Sequence, residues 1–380
     1  MSVTVSDARV VTPGGVRDGW LTIEDGRITH IGDGRAPGPG LSLGGRTVVP
    51  GFVDIHTHGG AGGSYPDGDP ETAAAVAAFH LSRGSTTALA SLVTASPDAL
   101  ARAAGTLADL AEQGLIAGIH FEGPYIARAR CGAHDPALLR TPDRAEFQAL
   151  VKAGRGHVRM ITIAPELPGA LDVIREARAE GVVAALGHSD ATYEQTIAGI
   201  EAGGGVATHL YNAMPPLNHR DPGPIAALLQ DERVTIELIN DGVHVHPAML
   251  RLAMRAAGPG RTALITDAMA AAGMGDGTYP LGPMTVNVEN GVARLAEGGA
   301  IAGSTLTMDV AFRRTVGDLG VPITDAVRMA SQTPARVLGL DAEIGSISTG
   351  RYADLVVLDD DLNVDGVMKR GSWVTRPAGV

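Results

Sequence analysis

The chain is expected to fold as an α/β protein: a (β/α)8 barrel of the TIM type with a small β-sandwich domain built from both chain termini. Three observations lead there. Short apolar runs alternate with helical patterns eight times between about residue 50 and about residue 335. Most of these runs are continuous rather than alternating, as parallel strands covered on both faces require. The two ends read instead as short strands broken by Asp-Gly and Gly-Gly turns.

The eight candidate barrel strands are Val48 to Ile55, Thr86 to Ser91, Ile116 to Phe121, Val158 to Ile163, Val182 to Leu186, Val206 to Thr208, Val234 to Ile239 and Thr262 to Thr266. Helices fit between them. Asp69-Pro70 supplies an N-cap and a first-turn proline for a helix that Gly84 ends, and Ser96-Pro97 does the same for one that Gly114 ends. Residues 1–50 and 343–380 are expected to form the discontinuous β-sandwich domain and 51–342 the barrel. Turn-rich strands near 276–298 read as a β-hairpin insertion over the active-site face.

Composition sets the limits on function. A chain of 380 residues, 44% hydrophobic and 19% charged, buries a large core. The formal net charge of −12 argues against nucleic acid or an anionic membrane surface as partner. No apolar stretch approaches the ~18 residues that span a bilayer, and the start lacks a basic segment followed by an apolar one, so the expected compartment is the cytoplasm. The single cysteine, Cys131, excludes an internal disulfide framework.

His56-Thr57-His58 is the most informative motif. In an extended strand residues i and i+2 point the same way, so both imidazoles face one ion. Glu122, His188, His209, Asp241 and Asp267 each follow a later apolar run, and barrel chemistry gathers at the C-terminal ends of the strands. A lone histidine there is more often hydrogen-bonded packing, and a lone aspartate a helix cap. Imidazoles and carboxylates at six strand ends, with an aspartate to spare, instead describe a hydrolytic metal centre.

Other motifs carry less. Gly59-Gly60-Ala61-Gly62-Gly63 lacks the Lys-Ser/Thr ending of a phosphate-binding loop. No GxSxG nucleophile elbow is present. Nothing around Cys131 marks it as a nucleophile.

These residues carry a family resemblance that covers essentially the whole chain. His56-x-His58, His188, His209 and Asp267 resemble the metal site of the amidohydrolase superfamily. Gly118-Ile119-His120-Phe121-Glu122-Gly123-Pro124, Gly187-His188-Ser189, Thr208-His209-Leu210-Tyr211-Asn212-Ala213-Met214, Asp241-Gly242-Val243-His244 and Thr266-Asp267-Ala268 are similar to the N-acetylglucosamine-6-phosphate deacetylases within it. The resemblance implies hydrolysis of N-acetylglucosamine 6-phosphate to glucosamine 6-phosphate and acetate, in amino-sugar catabolism and cell-wall precursor recycling. It implies Glu122, His188 and His209 as ligands of the main divalent ion, with His56 and His58 adding a second ion through Glu122. Zinc is the expected metal and ferrous iron the alternative. Asp267 is implied as general base and then acid, and His134 as the group that polarises the acetyl carbonyl. Asn212, Ala213, Arg220 and His244 are implied as the phosphosugar contacts, Arg220 reaching across from the neighbouring subunit of a homodimer.

The strand-four region, Met160 to Glu166, has no lysine that could be carbamylated, which counts against dihydroorotase and hydantoinase relatives. Two alternatives stand beside the main reading: a deacetylase of an epimeric N-acetylhexosamine 6-phosphate, and a non-catalytic scaffold on the same fold. A scaffold predicts erosion of the ligands, and every one is present.

Overall fold

The structure is a computed structural model and describes residues 2–379. Its main sheet has eight parallel strands: β1 Phe52–Asp54, β2 Ser85–Leu92, β3 Gly118–Glu122, β4 Val158–Ile163, β5 Val183–Leu186, β6 Gly204–Ala207, β7 Thr235–Ile239 and β8 Thr262–Ile265. Each strand neighbours the next in chain order from β1 to β8, the sequence of a (β/α)8 barrel. At the rim the two edges of the sheet meet. Thr57, just beyond β1, forms a parallel bridge with Ala268, just beyond β8. His58 and Gly59 both donate their N–H groups to the Ala268 carbonyl, at 2.8 and 2.9 Å.

The strands are apolar because both faces are covered. Ile236 and Leu238 of β7, Leu264 and Ile265 of β8, and Ile119 and Phe121 of β3 are fully buried. Between strands the helices begin as the caps require. Asp69 accepts from the Thr72 N–H at 2.8 Å ahead of helix Pro70–Ser82, and Ser96 accepts from the Ala99 N–H at 3.3 Å ahead of helix Pro97–Glu112.

The chain packs as two compact units. One comprises Ile55–Ala78 and Ala88–Leu306; the other holds the segments up to Asp54, Phe79–Thr87 and from Thr307 onward. In the second, strands from both termini share one sheet, in which Thr47–Pro50 lies between Ser2–Thr12 and Leu355–Leu358. Val10, Leu21, Ile23, Val48, Leu355 and Met368 form its buried core.

Two expectations change in detail. The run Val48 to Ile55 is not one strand. Thr47–Pro50 pairs with Leu355–Leu358, whereas Phe52–Asp54 belongs to the barrel. The break falls at Gly51, where an added Cβ would sit 2.1 Å from Thr86 Oγ1. From there the hydrogen bonds change hands: the Gly51 N–H goes to the Asp354 carbonyl at 2.8 Å and the Phe52 N–H to the Gly84 carbonyl at 2.9 Å. A continuous apolar run hides such a handover, because both strands are buried.

The expected hairpin is a three-stranded antiparallel meander, Gly277–Leu281, Met284–Glu289 and Val292–Leu295. Leu281, Val286 and Leu295 pack with Val93 and Met269 in a buried cluster of their own. Among the described residues no helix is long and apolar enough to cross a membrane.

Candidate metal centre and active site

Several site residues stand just beyond a barrel strand, where the backbone turns. His188, His209, Ala213 and Asp267 have φ values of 47, 28, 52 and 49°, a left-handed region that costs non-glycine residues about 1–3 kcal/mol. Such turns persist only where the surroundings fix them, and here they do. The His188 carbonyl accepts from the Ala127 N–H at 2.8 Å, and the Ser189 N–H donates to the Ala213 carbonyl at 3.2 Å. Glu166 holds the same turn by accepting from Ser189 Oγ at 2.8 Å and from the Asp190 N–H at 2.6 Å. Asp267 is held by its N–H on the His56 carbonyl at 2.9 Å and by the Ser304 N–H on its own carbonyl at 2.7 Å. Gly187 lets this region close: a Cβ there would lie 2.5 Å from Thr208 Cβ.

Five imidazoles surround one carboxylate. Glu122 Oε1 lies 3.0 Å from His209 Nε2, 3.1 Å from His188 Nε2 and 3.5 Å from His56 Nε2. Its Oε2 lies 3.2 Å from His58 Nε2 and 3.3 Å from His134 Nε2. Asp267 Oδ1 is 3.3 Å from His58 Nε2 and 3.6 Å from His56 Nε2. All seven side chains are buried.

The partners of the opposite ring nitrogens assign the tautomers. His58 Nδ1 faces the Ser91 carbonyl at 3.1 Å and His188 Nδ1 the Arg130 carbonyl at 2.8 Å. A carbonyl only accepts, so both rings carry their proton on Nδ1 and turn an Nε2 lone pair to the centre. His56 Nδ1 faces Glu237 Oε2 at 3.2 Å, with the same result. These are the outer contacts that orient metal-binding histidines. His134 is the opposite case. The Thr94 N–H, which only donates, points at His134 Nδ1 at 3.2 Å, so neutral His134 carries its proton on Nε2. Buried His209 Nδ1 has no hydrogen-bond partner among the described residues.

The Nε2 atoms of His56 and His58, 3.1 Å apart, set lone pair against lone pair unless positive charge stands between them, and His209 Nε2 lies 3.0 Å from His188 Nε2. The electrostatics ask for the same thing. Burial opposes charge on His56, but Glu122, Glu237 and Asp267 outweigh it and hold the imidazole well above its ordinary range. On His58 burial is outweighed by Asp267 and Glu122, which lift it to about 9. Burial disfavours the Glu122 carboxylate, yet His56 and His188 hold it ionised, well below the usual range. Burial likewise resists charge on Asp267, and His56 with His58 brings it down to about 2. His134 instead follows burial in direction, falling to about 4 despite Glu122.

This donor set suits a divalent metal ion. Two groups bring one ligand atom from each member within 4.8 Å of one another: His56, His58 and Glu122, and Glu122, His134 and His188. Distance alone admits His134, but the Thr94 N–H turns its lone pair away from the centre and leaves it a donor.

His58, Glu122, His134, His188, His209 and Asp267 line a cavity of about 350 Å³, together with Asn212, Ala213, His244, Leu281 and Ile301. Asn212 Nδ2 donates to the His209 carbonyl at 3.1 Å, which ties it to a site turn. His244 Nδ1 meets Asp241 Oδ2 at 2.6 Å. Asp241 also accepts the N–H groups of Val243 and His244, at 2.8 and 2.9 Å. Burial opposes charge on His244, but the Asp241 carboxylate prevails and raises it. Arg220 stands apart from the cavity in this single chain. It is exposed on the loop before helix Gly223–Gln230, its N–H on Asn218 Oδ1 at 3.2 Å.

Sequence reasoning missed three members of the site. Thr94 sets the His134 tautomer, Arg130 lines the cavity while paired with Asp190 at 2.8 Å, and Glu237 lies fully buried behind His56. Of these only Glu237 left a signal, a carboxylate inside the apolar run Val234-Thr235-Ile236-Glu237-Leu238-Ile239.

Comparison with known proteins gives the family. The model of the amidohydrolase family matches residues 47–374. The chain is 40% identical to an N-acetylgalactosamine-6-phosphate deacetylase of Escherichia coli O157:H7, over 85% of this chain and 86% of that one. It is 37% identical to the N-acetylglucosamine-6-phosphate deacetylase of Vibrio furnissii, over 94% and 91%. A solved structure of a mutant N-acetyl-D-glucosamine-6-phosphate deacetylase from Mycobacterium smegmatis, in complex with N-acetyl-D-glucosamine-6-phosphate, is 48% identical and covers 98% of this chain and 99% of its own, with a TM-score of 0.96. With its strand order, its histidine cluster and these matches, the chain belongs to the amidohydrolase family.

Proposed function

We propose that the protein hydrolyses N-acetyl-D-glucosamine 6-phosphate to D-glucosamine 6-phosphate and acetate. The observation that carries the reading is the division of labour around Glu122. His56, His58 and His188 present lone pairs, His134 presents a proton, and ionised Asp267 stands 3.6 and 3.3 Å from His56 and His58. Glu122, His188 and His209 would hold one divalent ion, and His56 and His58, sharing Glu122, a second. Zinc suits the imidazole and carboxylate set, with ferrous iron the alternative. Such an ion, when bound, supplies Lewis acidity and lowers the pKa of water toward neutrality.

The chain's own groups do the rest. Asp267 takes a proton from the attacking water onto its carboxylate and returns it to the amine nitrogen as the C–N bond breaks. His134 donates its Nε2 proton as a hydrogen bond to the acetyl oxygen, where charge gathers in the transition state. Asn212 and the Ala213 backbone hold the sugar, and protonated His244 binds the phosphate. Arg220, exposed on its own chain, reaches the phosphate of a neighbouring copy, so the working unit is a homodimer. The compartment is the cytoplasm and the role is amino-sugar catabolism and cell-wall precursor recycling. Residues 51–342 form the catalytic barrel domain and 1–50 with 343–380 the β-sandwich domain. A second reading, the galactosamine epimer as substrate, is favoured by the 40% identity to the Escherichia coli enzyme.

The direct experiment measures acetate released from N-acetylglucosamine 6-phosphate, its galactosamine epimer and unphosphorylated N-acetylglucosamine, with bound metal quantified in the same sample. Release that requires the phosphate and favours the gluco epimer supports the reading. Preference for the galacto epimer selects the second one, and no release from any of the three by metal-loaded protein contradicts both.

The Asp267→Asn variant should keep its metal and its substrate affinity while kcat falls about 10²- to 10⁴-fold, the usual worth of a proton-transfer group. Turnover within tenfold of the parent's removes Asp267 from its role.

His244 gives a pH signature. Its raised pKa keeps the imidazolium charged above the ordinary value of about 6.5, so KM stays low there and rises as pH climbs through the raised value. Asp241→Asn removes the main raising contact, so the same rise in KM should begin at lower pH, with kcat little changed. KM profiles that coincide for the two proteins contradict the assignment.

A further inference from the structure

Glu237 is a fully buried carboxylate on β7, in the middle of an apolar strand. Burying a carboxylate is unfavourable unless partners compensate it, and the partners it has are both parts of the metal centre. Glu237 Oε2 accepts from His56 Nδ1 at 3.2 Å and from the His209 N–H at 3.1 Å. The other oxygen, Oε1, is buried with no hydrogen-bond partner among the described residues. One oxygen atom therefore ties the imidazole following β1 to the backbone turn following β6. These two histidines stand on different halves of the ligand set, His56 beside His58 and His209 beside His188.

We infer that Glu237 is a positioning residue that locks His56 and the His209 turn together and sets how tightly the His56/His58 pair holds its ion. The inference rests on the proposed reading of this cluster as a metal centre. Two consequences of the contact lead to it. As acceptor of the Nδ1 proton, Glu237 fixes the tautomer that turns the His56 Nε2 lone pair to the centre, and its negative charge makes that nitrogen a stronger ligand. His58 and His188 rely on neutral backbone carbonyls for the same purpose, so His56 alone among the three is backed by a charge. Glu237 thus acts on the β1 pair far more than on His188.

Glu237→Gln separates the charge from the hydrogen bonds, because the single amide oxygen can still accept both. The test compares it with the parent by titrating zinc out of each protein with chelators of graded strength and by recording the Tm of the metal-free and metal-loaded forms. Outer carboxylates of this kind are worth about 10- to 100-fold in metal affinity. The expected result is one ion per subunit weakened by that factor, the other within about threefold of the parent, the metal-free Tm unchanged or higher, and a smaller rise in Tm on loading. A merely structural glutamate gives another pattern, a lower Tm in both forms with zinc affinity unchanged, and that result overturns the inference. So does equal weakening of both ions.

If Glu237→Gln fails to fold, Glu237→Asp, which shortens the reach to both His56 and the His209 N–H, is expected to weaken the ion of the His56/His58 pair, and unchanged affinity for that ion overturns the inference. Parent protein that binds no metal beyond trace amounts fails the metal-centre reading itself. Parent protein that binds two ions, with variants that bind them equally well, fails only the role of Glu237.

Discussion

The structure turns on one buried carboxylate. Glu122 ends β3 inside a shell of five imidazoles, each with a nitrogen 3.0–3.5 Å from one of its oxygens. An isolated carboxylate at that depth is prohibitively unfavourable, and an array of inward-facing histidine lone pairs repels itself. Each problem is the other's solution only when positive charge sits among them. The strained turns at His188, His209 and Asp267, and the hydrogen bonds that hold them, make sense as the means of keeping this arrangement assembled.

Around that centre the contacts beyond the first ring decide the chemistry. A histidine pointing at Glu122 is a ligand or a donor according to what stands behind it. Carbonyls stand behind His58 and His188 and a carboxylate behind His56, whereas a backbone N–H stands behind His134. The same side chain at similar distance thus turns a lone pair to the carboxylate in one case and a proton in the other. Behind His244, which lines the same cavity, Asp241 has a comparable effect and raises the pKa of the imidazole against its burial.

Much of this was legible in the chain. The continuous apolar runs identify parallel strands, and the polar residue after each run identifies the catalytic rim, because the barrel puts every strand's end on the same face. His56, His58, Glu122, His188, His209 and Asp267 are found together for that reason. The handover at Gly51 was not legible, since buried strands of different sheets share one apolar pattern. Nor was the tautomer of His134, which depends on Thr94, a residue distant in sequence. Glu237 was visible as an anomaly in an apolar strand, but its meaning comes only from the two histidines it touches. Arg220 shows the complementary limit: a residue that is proposed to act on a neighbouring copy looks like any exposed loop charge on its own chain.

The central claim, that Glu122 and its histidines hold a divalent ion, is tested most directly by anomalous diffraction from crystals of the protein as purified, recorded on both sides of the zinc and iron absorption edges. The account predicts an anomalous peak within ligand distance, about 2.0–2.2 Å, of Glu122, His188 Nε2 and His209 Nε2. Crystals in which these side chains keep their positions around a centre with no anomalous scatterer, from protein that releases acetate from the phosphosugar, would contradict it.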